Sequence, residues 1–201
     1  MLARSVAVLP PASQEILLRP DSADRLDIVT DSSVGLVRAH GAAGLTIRRI
    51  AADCDMSIGW LTNRFENKDR LVSLVTMTGG ERWLQWIHGR VDELGTLALL
   101  PDVDEEIPAL QVWLALLDLG RIHDGVGTHT TQVRAGERAW VTTLLRRGPS
   151  HHPSPDDVSG VIALVDGLRV ALGTDDQLTA ADARRLLLPQ QGFVRRRAGV
   201  A

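Results

Sequence analysis

Thr46 to Leu71, TIRRIAADCDMSIGWLTNRFENKDRL, is the stretch whose residue types and spacing point to chemistry. It holds two short helical patterns split by a tight polar break at Asp55 and Met56. A third helix start follows at once, with Lys68, the only lysine of the chain, in its first turn. Two helices joined by a short turn are the layout of a helix-turn-helix, in which the second helix enters the major groove of DNA. The chemistry this implies is noncovalent contact with a duplex rather than bond making.

Other chemistry finds little support. No GxSxG, HExxH, P-loop or GxGxxG motif is present. Gly125-Val126-Gly127 follows no strand, which argues against a phosphate loop. His151 and His152 form a pair inside the loop GPSHHPSP, without a cysteine or carboxylate at tetrahedral spacing, so they read as solvated. Cys54 is the only cysteine. It excludes an intrachain disulfide, fits a reducing compartment and reads as a small buried hydrophobe. No catalytic residue, metal site or cofactor is therefore expected.

Composition is that of a globular protein, with 44% hydrophobic and 23% charged residues over 201 positions. No apolar run approaches the ~18 residues a membrane span needs. Pro10 and Pro11 cut the short apolar run at the N-terminus, which argues against a signal peptide. A cytoplasmic location is expected. The formal net charge is −3. A local basic face still suffices for DNA, and Arg25 to Arg70 carries seven basic against six acidic residues.

The elements that must position this segment are all helical in pattern. Asp21 and Ser22 cap a helix from about Asp24, with Leu26, Val29, Ser33, Leu36, Val37 and His40 at helical spacing and Gly41 as terminator. Thr46 caps a helix through Cys54, Ser57 caps Ile58–Phe65, and Asn67 caps a helix to about His88. Gly79 and Gly80 predict a weak point or kink there. Gly95 to Pro101 reads as a loop. Helices follow over about 104–121, 128–147 and 155–173, and a last one starts near Thr179 and ends before Pro189. The fold class is all-α. The expected domains are an N-terminal extension (1–21), a helix-turn-helix domain (22–68), a ligand-binding and dimerisation domain (69–189) and a basic tail (190–201) that includes Arg195, Arg196 and Arg197.

Gly41, Thr46, Ile50, Ala51, Ser57, Gly59, Leu61, Phe65, Asn67, Lys68, Asp69 and Leu71 stand in the register of a known pattern: over Gly41–Leu71 the chain resembles TetR-type transcriptional regulators. WLALLDLGRI (113–122) and ALVDGLRVALGTDDQLTAADARRLLL (163–188) resemble the branch typified by betaine-responsive repressors. The resemblance implies that Ser57–Phe65 is the recognition helix. Ile58, Gly59 and Trp60 would approach base edges, and Thr62, Asn63 and Arg64 would contact phosphates or bases. Lys68 and the helix start at Thr46, with Arg48 and Arg49, would hold flanking phosphates. Thr62 stands where the family usually carries Tyr, and Ile58 and Trp60 make the reading face more apolar than usual, with thymine methyls as possible contacts. Trp60 is expected at the DNA face.

Trp83, Trp86, Trp113 and Trp140, with Arg121 and His123, are the candidates for lining a ligand pocket; the alternative is ordinary core. Aromatic walls would suit an apolar or cationic small molecule. The helix at 155–173 is nearly apolar all round, so Val158, Val161, Ile162, Val165, Leu168 and Leu172 are expected to pair with a second copy. The expectation is a ligand-responsive homodimeric repressor on a near-palindromic operator, its partners being double-stranded DNA, a small-molecule effector and itself. The alternative is a helical small-molecule-binding protein or enzyme whose helix-turn-helix no longer reads DNA. The sequence leaves activator against repressor open.

Overall fold

A computed structural model describes residues 20–123, 127–146 and 153–197, with side chains placed at 25–123, 127–146 and 153–188. Expectations for residues 1–19, Gly125-Val126, His151-His152 and 198–201 lie outside the described residues. Among those residues there is no strand. The α-helices are α1 (Pro20–His40), α2 (Ile47–Asp53), α3 (Ile58–Phe65), α4 (Lys68–His88), α5 (Val91–Leu94), α6 (Ile107–Ile122), α7 (Gly127–Arg146), α8 (Pro155–Thr174) and α9 (Ala180–Arg197). Short 3-10 turns occupy Ala42–Gly44, Gly95–Leu99 and Asp104–Glu106. No described helix is long and apolar enough to cross a membrane.

The chain divides into two compact units, one of Met1–Glu81 with Ala115–Thr130, the other of Arg82–Leu114 with Thr131–Ala201. The expected boundary at residue 68 differs, because α4 contributes its first part to one unit and Arg82–His88 to the other.

In the first unit α1 buries Leu26, Val29, Thr30, Ser33 and Val37, a helical stripe by spacing. Its two hydroxyls bond within the helix, Thr30 to the Leu26 carbonyl at 2.8 Å and Ser33 to the Val29 carbonyl at 2.6 Å. Gly41 ends the helix at φ 64°, a left-handed conformation open to glycine at little cost. Ile50 and Ala51 of α2, Leu61 and Phe65 of α3, and Leu71, Val72 and Val75 of α4 complete a core around them.

α4 runs unbroken through Gly79 and Gly80, so the glycines do not interrupt it. Gly79 serves packing instead: a Cβ there would stand 2.3 Å from Leu116 Cδ1 of α6. Gly95–Pro101 is no exposed loop either. Thr96, Ala98, Leu99, Leu100 and Pro101 are all buried, much of the stretch wound into a 3-10 turn. Glycine and proline signalled a break there, but the leucines between them pull the segment into the core of the second unit.

α8 starts at Ser154 with a reciprocal cap: Ser154 Oγ accepts from the Asp157 N–H, and Asp157 accepts from the Ser154 N–H. Thr179 and Asp182 begin α9 in the same way. α9 continues past Pro189 to Arg197, where an end before Pro189 was expected. Proline removes one backbone hydrogen bond there, and the helical backbone carries on through the loss.

Candidate nucleic-acid interface and the aromatic cluster

Three side-chain caps set the 46–71 segment. Thr46 Oγ1 accepts from the Arg49 N–H at 3.3 Å, Ser57 Oγ from the Trp60 N–H at 3.1 Å and Asn67 Oδ1 from the Arg70 N–H at 3.0 Å. Each satisfies one of the N–H groups a helix start leaves unpaired and leaves others outward. The turn between α2 and α3 places Asp55 at φ 52°, and the Met56 N–H returns to the Ala51 carbonyl at 2.9 Å. This reversal, buried from within by Ile50, Leu61 and Phe65, fixes α3 against α2.

Around these caps Arg48, Arg49, Ser57, Ile58, Gly59, Thr62, Asn63 and Lys68 are exposed, while Thr46, Trp60 and Arg64 are half-buried. Ile58 stands 50% exposed, which leaves an apolar side chain at the very start of α3. Thr62 is less available than its exposure suggests, since its hydroxyl donates to the Ile58 carbonyl at 2.8 Å. Trp60 departs from the expected open position: it is half-buried, with the Arg25 guanidinium 5.7 Å from its ring centroid. α1 therefore adds an exposed cation, Arg25, that the spacing of 46–71 could not disclose. Cys54 is partly buried, its thiol 3.8 Å from the Ile28 carbonyl.

The six pocket candidates are divided between the two units. Arg121 and His123 belong to the first unit; Arg121 is exposed and His123 Nδ1 lies 2.7 Å from Asp69 Oδ1. In the second unit Trp83 stacks on Trp86 (centroids 4.9 Å apart) and on Trp113 (5.7 Å), whereas Trp140 stacks on His88 (6.0 Å). Buried charges that sequence reasoning missed complete this cluster. Glu137 and Arg169 are 0% and 1% exposed. Trp83 Nε1 donates to Glu137 Oε1 at 2.8 Å, and Arg134 pairs with both Glu137 and Asp166. Burial alone would raise the Glu137 carboxyl, but the Arg169 charge, the Trp83 N–H and Arg134 outweigh it and hold the group below its ordinary 4.5. The signal was present in the sequence: Glu137 lies between Val133 and Val141 on the stripe of α7, and Arg169 between Val165 and Leu172 on that of α8. A charge inside an apolar stripe marks a buried ion pair. In the first unit His129, also missed, is buried with Nε2 2.8 Å from Ser73 Oγ, and burial lowers its pKa.

Val158, Val161, Ile162, Val165, Leu168 and Leu172 are all buried by the chain itself, between 0 and 7% exposed. They are core, and a second copy cannot cover them. An all-apolar run does not say which side faces inward; the faces left outward carry Gly160, Ala163, Gly167 and Val170 on α8 and Leu186 and Leu188 on α9.

Residues 93–189 match the family of BetI-type transcriptional repressor C-terminal domains. Among curated proteins nothing matches. Solved structures of similar fold include a transcriptional regulator from Rhodococcus sp. Rha1, with TM-score 0.74 and 18% identity over 88% of this chain and 98% of that one. A TetR transcription regulator from Haloarcula marismortui reaches TM-score 0.70 at 20% identity, over 85% and 98%. A candidate transcriptional regulator from Saccharomonospora viridis, solved in complex with choline, reaches 0.71 at 13% identity, over 83% and 95%. A capped helix-turn-helix thus stands ahead of a C-terminal region that matches BetI-type transcriptional repressors, in a fold shared with TetR-family regulators of known structure.

Proposed function

We propose that the protein is a cytoplasmic, homodimeric repressor that binds a near-palindromic operator and is released from it by a small-molecule effector. The observation that carries the DNA reading is the set of three capped helix starts, with Arg48, Arg49, Asn63 and Lys68 exposed beside them. The uncapped N–H groups and the guanidinium and ammonium charges suit phosphates, and Ile58 and Gly59 are left to meet base edges. Gly59 has open space where a side chain would stand, so the backbone can approach a base pair closely.

Dimerisation uses the outward faces of α8 and α9. Gly160, Ala163, Gly167 and Val170 form a smooth stripe at helical spacing, and Val170, Leu186 and Leu188 are 52%, 51% and 50% exposed. Two such helices from each copy make a four-helix interface, which spaces two recognition helices by about one DNA turn, roughly 34 Å, or a multiple. An effector held in the C-terminal domain acts by binding one dimer geometry better than the other. The test is selection of genomic fragments by the purified protein at low salt. Enrichment of a fragment with an inverted repeat is expected; a pool that stays unenriched sinks the proposal and leaves the helical binding protein in its place.

A further inference from the structure

The Trp83 cluster has the make-up of a cation site. An indole face and a buried carboxylate are the groups that hold an ammonium or guanidinium ion away from water. Here both are engaged by the chain itself. The Arg169 guanidinium carbon lies 5.0 Å from the Trp83 ring centroid. Its Nη2 stands 2.8 Å from Glu137 Oε1 as an ion pair. Its Nε donates to the Leu99 carbonyl at 2.9 Å. Trp83 is also tied to the same carboxylate oxygen through Nε1. A cation from solution can reach that indole and carboxylate only by expelling a guanidinium that is 1% exposed, and an unpaired buried charge is strongly disfavoured.

We infer that Arg169 is an internal cation that occupies the Trp83–Glu137 site and closes it to quaternary ammonium and other onium ligands, so that it is a specificity-determining residue. Taking away the guanidinium turns the cluster into a site for a small organic cation. Glu137 stays paired with Arg134 in that case, and the place the guanidinium held beside the Trp83 ring is vacated. The regulatory meaning of the inference rests on the effector reading above. The binding test needs neither operator nor effector, so the two can fail separately.

The experiment titrates the full-length protein with tetramethylammonium and with methylguanidinium chloride, using sodium chloride as the ionic control. Tryptophan fluorescence and thermal midpoint are the readouts. The wild-type chain is expected to show no saturable response beyond the salt control. Arg169→Ala is expected to bind both cations at least about tenfold more tightly than the wild type, with a raised thermal midpoint. Adding Glu137→Gln to that variant is expected to abolish the gain. Should Arg169→Ala not fold alone, methylguanidinium is expected to restore its helical circular dichroism. The inference is overturned if folded Arg169→Ala ignores both cations, or if the unfolded variant is not rescued. It is equally overturned if the wild type binds tetramethylammonium saturably and Glu137→Gln alone removes that binding.

Discussion

Asp55 turns the chain between α2 and α3 in a left-handed conformation, φ 52°, which a side chain enters at a cost of about 1 kcal/mol and glycine at almost none. Asp55→Gly should therefore raise unfolding stability by up to about 1 kcal/mol; urea titrations that show a loss would mean the Asp55 side chain stabilises the turn by other means. Glu137 makes a pH statement. Its carboxyl is held below 4.5 in the folded chain. The stability it contributes is thus fully present above 4.5 and is lost as pH falls through the lower folded value. His129, kept neutral by burial, withdraws stability earlier, as pH falls from its ordinary 6.5 toward its lowered value. Denaturant unfolding at about pH 7 and about pH 4 should show a smaller acid loss in Glu137→Gln than in the wild type; equal losses would contradict the Arg169–Glu137 account.

At the scale of the element, Ser57 fixes where α3 begins, through its bond to the Trp60 N–H. Ser57→Ala should cost about 1 kcal/mol of stability and weaken DNA binding, whereas Ser57→Asp should hold the cap and lose affinity for phosphate. Gel-shift titrations beside thermal unfolding separate these effects, and a DNA affinity unchanged by both substitutions would remove Ser57 from the interface. All three caps of the 46–71 segment were legible in the sequence, because a hydroxyl or amide ahead of an apolar helical period has few other uses. Gly79–Gly80 was read as interrupting α4, but the helix continues; the approach of Leu116, 37 positions later, to Gly79 accounts for that glycine. The partial cover of Trp60 was hidden for a similar reason, since Arg25 on α1 lies 35 positions away in the chain.

At the scale of the whole molecule, the all-α class and the helix-turn-helix layout could be read from residue spacing, whereas the sidedness of α8 could not. Its run of valines, leucines and isoleucine looks alike on every face, and burial alone separates Val165 inside from Val170 outside. Val170→Asp places a charge on the proposed dimer face without entering the core. Sedimentation should find the wild type dimeric and this variant monomeric with its helical content intact; a dimer that persists in Val170→Asp would move the interface elsewhere. The central claim, that α2 and α3 read DNA, is tested most directly by the affinity of the purified protein for its selected fragment as salt is raised. Binding should fall steeply, with log K linear in log salt and each phosphate contact adding about 0.9 to the slope, and Lys68→Ala should lessen the slope by about 1. An affinity indifferent to salt, or equal on a scrambled fragment, would contradict the account.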